Sequence, residues 1–241
     1  MTKPHLHPIH APNGRLLTRV SPPDHEWHRA LWFAIKYVNG ENFWEESLDE
    51  PHGDQFDTGD GRIEWRGASG EVVLVEQRDI ARVDLGRADA YAIDWTSTLT
   101  PSIDVVLDRT PYTTWGGYGG LTIRGAGDWE DTRILVADGS VHRRPEAVPS
   151  PWCDLSGDDA GITFLDHPEN VRHPVTWYGA TRSRVYGTDG WSNYLNAAFL
   201  FHEGLSSVAG ETLTMRYRLV VHDRMWSVDQ CDEAWRTWVD G

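Results

Sequence analysis

The sequence predicts an all-β protein, an antiparallel sandwich or barrel with one short C-terminal helix. Three observations carry that expectation. Apolar and polar residues alternate at period 2 along several segments, clusters of turn residues such as TGDG, ASG, ADGS and SGDD separate them, and a helical period is credible only at the C-terminal end.

Taken along the chain, the run KPHLHPIH holds His5, His7 and His10, residue types that bind metals, but a frayed terminus is the expected state. In SPPDHEWHRALWFAIKYVNGENFW, Asp24 has the character of a helix cap, yet Pro22, Pro23 and Asp24 also suit a turn, so ALWFAI reads as a buried strand. In YAIDWTSTL, Tyr91, Ile93 and Trp95 share one face while Asp94, Thr96 and Thr98 share the other. Shorter runs at 71–77, 103–107, 121–124, 133–136, 161–165 and 197–201 look similar. TLTMRYRLVVH alternates most clearly: Leu213, Met215, Tyr217, Leu219 and Val221 oppose Thr212, Thr214, Arg216, Arg218 and His222. Ser227 and Gln230 have capping-box spacing, and Val228, Cys231, Trp235 and Trp238 follow at helical intervals. No linker or repeat divides the chain, so one domain is expected over residues 1–241.

Composition narrows the function. A net charge of -15 repels a phosphate backbone and an anionic membrane surface, leaving a small-molecule substrate as the expected partner, with neither nucleic acid nor membrane. No apolar run reaches a membrane span and no apolar leader is present, so a cytoplasmic location is expected. Cys153 and Cys231 have no CxxC spacing and suggest neither a disulfide framework nor a thiolate zinc site. Thirteen Trp exceed the six Phe and three Met; most are expected in the core, but indoles also stack on sugar rings.

Two polar clusters are candidate sites. His25 and His28 are three apart, which puts them on one side of a helix or on opposite faces of a strand, and they lack the HExxH pattern. Asp24, Glu26, Arg29, Glu41, Glu45 and Glu46 supply neighbouring charges to orient an imidazole acid or base. The second cluster, LDHPENVRHPVTWYG, joins Asp166, His167, Asn170, Arg172, His173 and Trp177 on a Pro-fixed loop after an apolar strand. His222 and Asp223 form a weaker pair, expected to face water at a strand end. The glycines of TWGGYGGLTIRGAG match no phosphate-binding motif; they read as close backbone approach beside a site into which Arg124 points.

These segments, with AGETLTMRYRLVVHD, resemble the PmoA-like or DUF6807 family over nearly the whole chain. The family's DHPHHxGLW run is altered: Glu26 and Trp27 fill its middle and Ala30 stands where glycine is expected. The DHPxNxRHPxxW run is intact in Asp166, His167, Pro168, Asn170, Arg172, His173, Pro174 and Trp177. A membrane oxygenase, as the PmoA label suggests, needs spanning helices that this sequence lacks. The ending also resembles galactose-mutarotase-like proteins, which implies a large antiparallel supersandwich that handles sugars.

Together these readings imply a carbohydrate-active enzyme acting on a sugar or oxidised glycoside by C–O cleavage, elimination or anomerisation. The expected catalytic groups are His25, His28, His173, Asp24 and Asp166, with the two clusters facing each other across a sugar-sized cleft. Arg124, Arg172, His167, Asn170, Trp177 and Tyr118 are the expected substrate contacts. No cofactor is certain, but a divalent metal on His25, His28 and His173 is an option. The alternatives are a sugar-binding accessory subunit of an oxidoreductase and a natural-product tailoring enzyme. A symmetric homodimer fits the antiparallel strands.

Overall fold

The computed structural model describes residues 3–46, 51–110, 118–183 and 190–241. One sheet has six strands in the order β1 (His5–Leu6), β2 (Leu31–Ile35), β10 (Gly119–Arg124), β17 (Trp191–Ala197), β16 (Thr176–Ser183) and β13 (Val148–Pro149). A second sheet has nine: β12 (Val141–His142), β11 (Arg133–Val136), β14 (Trp152–Ser156), β15 (Ala160–Asp166), β19 (Leu213–Asp223), β8 (Ala90–Pro101), β7 (Val72–Arg87), β6 (Arg62–Arg66) and β5 (Asp54–Gly59). A four-stranded sheet orders β18 (Leu205–Ser207), β9 (Val105–Asp108), β3 (Tyr37–Val38) and β4 (Glu41–Asn42). All these strand pairs are antiparallel.

The inner faces of the two large sheets form the core. Leu31, Phe33, Leu121, Ile123, Trp177 and Leu195 of the first pack with Ile93, Trp95, Ile162, Phe164, Tyr217 and Leu219 of the second. The alternation in β8 and β19 correctly marks their core faces: Tyr91, Ile93 and Trp95, then Met215, Tyr217, Leu219 and Val221, all lie in this cluster. Helix α1 (Val228–Asp240) begins at Ser227 with the expected capping box and buries Cys231 against the outer face of the nine-stranded sheet. No helix among the described residues is long and apolar enough to cross a membrane.

Three local expectations change. The run expected as a strand at 197–201 ends at Ala197, because Phe199 and Phe201 N–H groups turn back onto Ala197 and Ala198 carbonyls. The N-terminal histidines are not frayed: His5 pairs with Trp32, and His7 Nδ1 meets Thr18 Oγ1 at 2.9 Å. His222 does not face water. Helix α1 and Trp226 cover it, Trp226 stacks on its ring at 4.1 Å, and its Nε2 lies 3.1 Å from both Asp154 Oδ1 and Thr163 Oγ1. Its Nδ1 donates to the Arg224 carbonyl at 2.9 Å. Cys153 and Cys231 are free thiols whose burial pushes their pKa up, so neither offers a ready thiolate.

Gly161, opposite His222 in the ladder, has no room for a side chain: a Cβ there would sit 2.1 Å from the His222 ring. Gly161→Ala is therefore expected to displace the imidazole from Asp154 and destabilise the fold by about 3 kcal/mol. Urea unfolding against wild type measures this; an unchanged midpoint would mean the network adapts freely.

Candidate functional site

The outer face of the six-stranded sheet carries polar and aromatic side chains in registered rows. Arg124, Tyr194 and Ala180 stand opposite one another across β10, β17 and β16, and Trp32, Thr122, Asn196 and Tyr178 form the next row from β2. Antiparallel pairing puts opposed side chains on the same face, so three local alternations combine into one surface. Gly120 allows the close approach: its φ is +111°, and a Cβ would sit 2.2 Å from the Ala197 carbonyl oxygen. Beside it Tyr118, a non-glycine residue at φ +40°, stacks on Trp44 at 5.1 Å.

The segment Ser21–Arg29 folds over this face. His25 N–H bonds the Pro22 carbonyl, and His28 N–H bonds the His25 carbonyl, at 3.0 and 2.9 Å. It is therefore neither helix nor strand, and successive turns bring the two imidazoles together. Their rings stack at 4.5 Å, and His28 in turn stacks on Tyr194 at 5.2 Å. The cleft is lined by His25, His28, Tyr118, Arg124 and Tyr178, with Ala180, Ser192 and Tyr194 completing its wall. It is narrow and partly open: its volume counted out into solvent is about 300 Å³, but only about 20 Å³ is left for the centre of a water molecule.

Charge is arranged tightly here. Asp24, whose side chain is inaccessible, accepts from Arg124 Nη2 at 2.5 Å, and His25 Nδ1 lies 3.1 Å from the same oxygen. Burial alone would raise the Asp24 pKa, but the hydrogen bond from His25 and the Arg124 charge hold it down to about 2. The Arg124 pKa is lowered by burial, which Asp24 offsets. His28 is pushed well below the ordinary imidazole range by burial and by the nearby His25, Arg124, Lys3 and Arg29, so it is neutral at pH 7. Its buried Nδ1 has no hydrogen-bond partner among the described residues, nor do Arg124 Nε, Trp32 Nε1 and Asp24 Oδ1.

A further buried cation steadies the aromatic wall. Lys3 Nζ donates to the Trp44 carbonyl at 2.6 Å and pairs with Glu46 at 2.8 Å, and Arg29 holds Glu46 from the other side. Burial lowers the Lys3 pKa to about 8 in spite of Glu46.

The second cluster has a different setting. Asp166 is fully buried and accepts from Asn170 Nδ2 at 2.8 Å and Val175 N at 2.9 Å, while His173 Nδ1 meets it at 2.7 Å. Asn170 also exchanges hydrogen bonds with the Arg216 backbone in β19. The His173 ring stacks on Trp235 of α1, and Trp235 Nε1 donates to the Asp166 carbonyl. Arg172 donates to the carbonyls of Phe199, Glu203 and Gly204. His167 accepts from Glu169 N–H and meets Trp238 edge-on. Trp177 lies inside the core, its indole N–H on the Ser150 carbonyl.

The model of DUF6807, described as a family of unknown function, matches residues 1–236. The chain belongs to DUF6807. No curated protein matches it. Among solved structures, this DUF6807 chain is similar to a mutant of the heparan sulfate lyase HepC from Pedobacter heparinus, at 7% identity and TM-score 0.39, covering 89% of this chain and 30% of that one. It is also similar to a variant of the GH36 alpha-galactosidase AgaA from Geobacillus stearothermophilus in complex with raffinose, at 11% identity and TM-score 0.35, covering 89% and 29%. The DUF6807 chain thus spans less than a third of either protein's length.

Of the residues singled out from sequence, Asp24, His25, His28, Tyr118 and Arg124 meet at one cleft of the DUF6807 fold. Asp166, His167, Asn170, Arg172, His173 and Trp177 are not in its described lining. The expected convergence of the two clusters does not occur there: the Asp166 loop turns toward β19 and α1. The described residues include no group of three His, Cys, Asp or Glu placed to hold a metal ion, so His25, His28 and His173 do not form one. Tyr178, Ser192 and Tyr194 were missed. A signal was present in WYGA and WSNYLNA, where strand alternation turns Trp177 into the core and Tyr178 outward.

Proposed function

We propose that the DUF6807 chain is an enzyme that moves protons on a sugar or oxidised glycoside, with His25 as the proton-transfer group. The carrying observation is the Asp24 carboxylate, held between Arg124 and His25 Nδ1 on the wall of a cleft lined by hydroxyls and aromatic rings. A carboxylate beside Nδ1 favours the tautomer that carries its proton there and leaves Nε2 to accept one. Asp24 stays ionised throughout the working range, so this orientation persists.

His28 and Arg124 bind substrate oxygens in this reading. A neutral imidazole and a buried guanidinium whose Nε has no partner among the described residues give directional hydrogen bonds, and Tyr118, stacked on the buried Trp44, gives an aromatic surface for the apolar side of a sugar. The cleft has room for about one water. A single substrate oxygen therefore enters while the ring stays at the mouth. The Asp166–His173 pair holds a loop against α1 and takes no part in the chemistry.

The test incubates purified protein with keto-glycosides and free aldoses and follows anomerisation, elimination or cleavage by NMR. Conversion is expected, falling roughly 10²- to 10⁴-fold in His25→Ala. No conversion of any substrate, or full activity in His25→Ala, would overturn the reading.

A further inference from the structure

Strand β7 outlasts its neighbour. Its pairing with β6 stops at Gln77, while β8 continues on the other side to Arg87. Among the described residues no strand covers the outer edge of Asp79–Arg87. Asp79, Ile80, Ala81, Arg82 and Asp84 are all exposed, Ile80 to 41%. The Arg78 amide donates outward to the Gly61 carbonyl, and the register with β8 is unbroken as far as Asp84. By alternation, the N–H and C=O groups of Ile80, Arg82 and Asp84 also point to the open side.

Proteins usually blunt such an edge with charges or a bulge, and a register shift does follow Asp84. The charges here also complement one another across a two-fold axis. We propose that this edge joins two copies of the chain, antiparallel, about an axis through Val83.

The register follows from hydrogen bonding and charge. Opposed residues must both turn their amides outward or both inward, so a symmetric pairing centres on a single residue. Centring on Ile80 sets Arg78 against Arg82, centring on Arg82 sets that arginine against itself, and centring on Asp84 opposes two carboxylates. Centring on Ala81 leaves Arg82 facing Ile80, and its one favourable pair needs Arg78, already bound through two nitrogens to Glu76. Centring on Val83 places Arg82 opposite Asp84 of the second copy, twice, with Val83 meeting its equivalent, all within the stretch where the register with β8 is regular.

Sedimentation velocity over a wide concentration range tests this. Wild type is expected to dimerise reversibly. Arg82→Asp and Asp84→Arg, each alone, bring like charges together and are expected to raise the dissociation constant roughly tenfold or more. An equimolar mixture of the two variants restores both opposite-charge pairs and is expected to dimerise again. Both positions are exposed, and circular dichroism verifies that the variants fold. A wild type that stays monomeric, single variants that dimerise normally, or a mixture no better than either variant would overturn the proposal.

Discussion

Asp24→Ala is expected to cost about 3 to 5 kcal/mol of stability and to reduce turnover at least as severely as His25→Ala. Among the described residues the carboxylate is the one hydrogen-bonded partner of the Arg124 guanidinium, whose side chain is only 2% accessible, so its loss leaves that guanidinium buried without a counter-charge. The same substitution frees His25 to rotate. Asp24→Asn separates the two effects, because it keeps the shape and can still accept from Arg124 while removing the charge. Acid unfolding gives an independent reading. A carboxyl held below its unfolded value contributes stability that is complete above about pH 4 and is lost as the pH falls towards 2. That contribution amounts to roughly 1 to 2 kcal/mol. Urea unfolding across this window should show a shallower loss in Asp24→Asn than in wild type; parallel curves would show that Asp24 is not coupled to folding.

Asp166→Ala is expected to destabilise by a similar 3 to 5 kcal/mol while leaving the turnover of folded protein unchanged within a few-fold. Three donors converge on this buried carboxylate: Asn170 Nδ2, Val175 N–H and His173 Nδ1. Removing it strands them and releases the loop that links β15, β19 and α1. Chemical unfolding reads the stability, and the NMR turnover assay below the unfolding transition reads the chemistry. A stable variant with turnover lost would return the second cluster to the active site.

Much of the architecture was legible because strand faces are local. The alternation in Tyr91, Ile93 and Trp95 and in Met215, Tyr217 and Leu219 matches the core, and Ser227 with Gln230 marks the start of α1. The site was legible in part. Asp24, His25, His28, Tyr118 and Arg124 stood out for their chemistry, but Trp177 was the expected substrate contact where its neighbour Tyr178 lines the cleft. The ladder decides otherwise, since neighbours in a strand point to opposite faces. His222 was misplaced for a related reason. Its strand shows which face it occupies, not that α1, folding back over that face, would bury it.

By itself the sequence determined the elements and the chemical groups on offer: short strands of period 2, one capped helix, two closely spaced histidines and a loop rich in hydrogen-bonding side chains. The tertiary structure alone decided which groups meet. Asp24 and Arg124 are a hundred residues apart yet share a hydrogen bond, whereas His25 and His173 belong to different surroundings in spite of their similar local chemistry. The reason is physical. Side-chain direction repeats every two residues along a strand and can be read locally, but a contact across the fold depends on which strands pair, in what register, and which face another element covers.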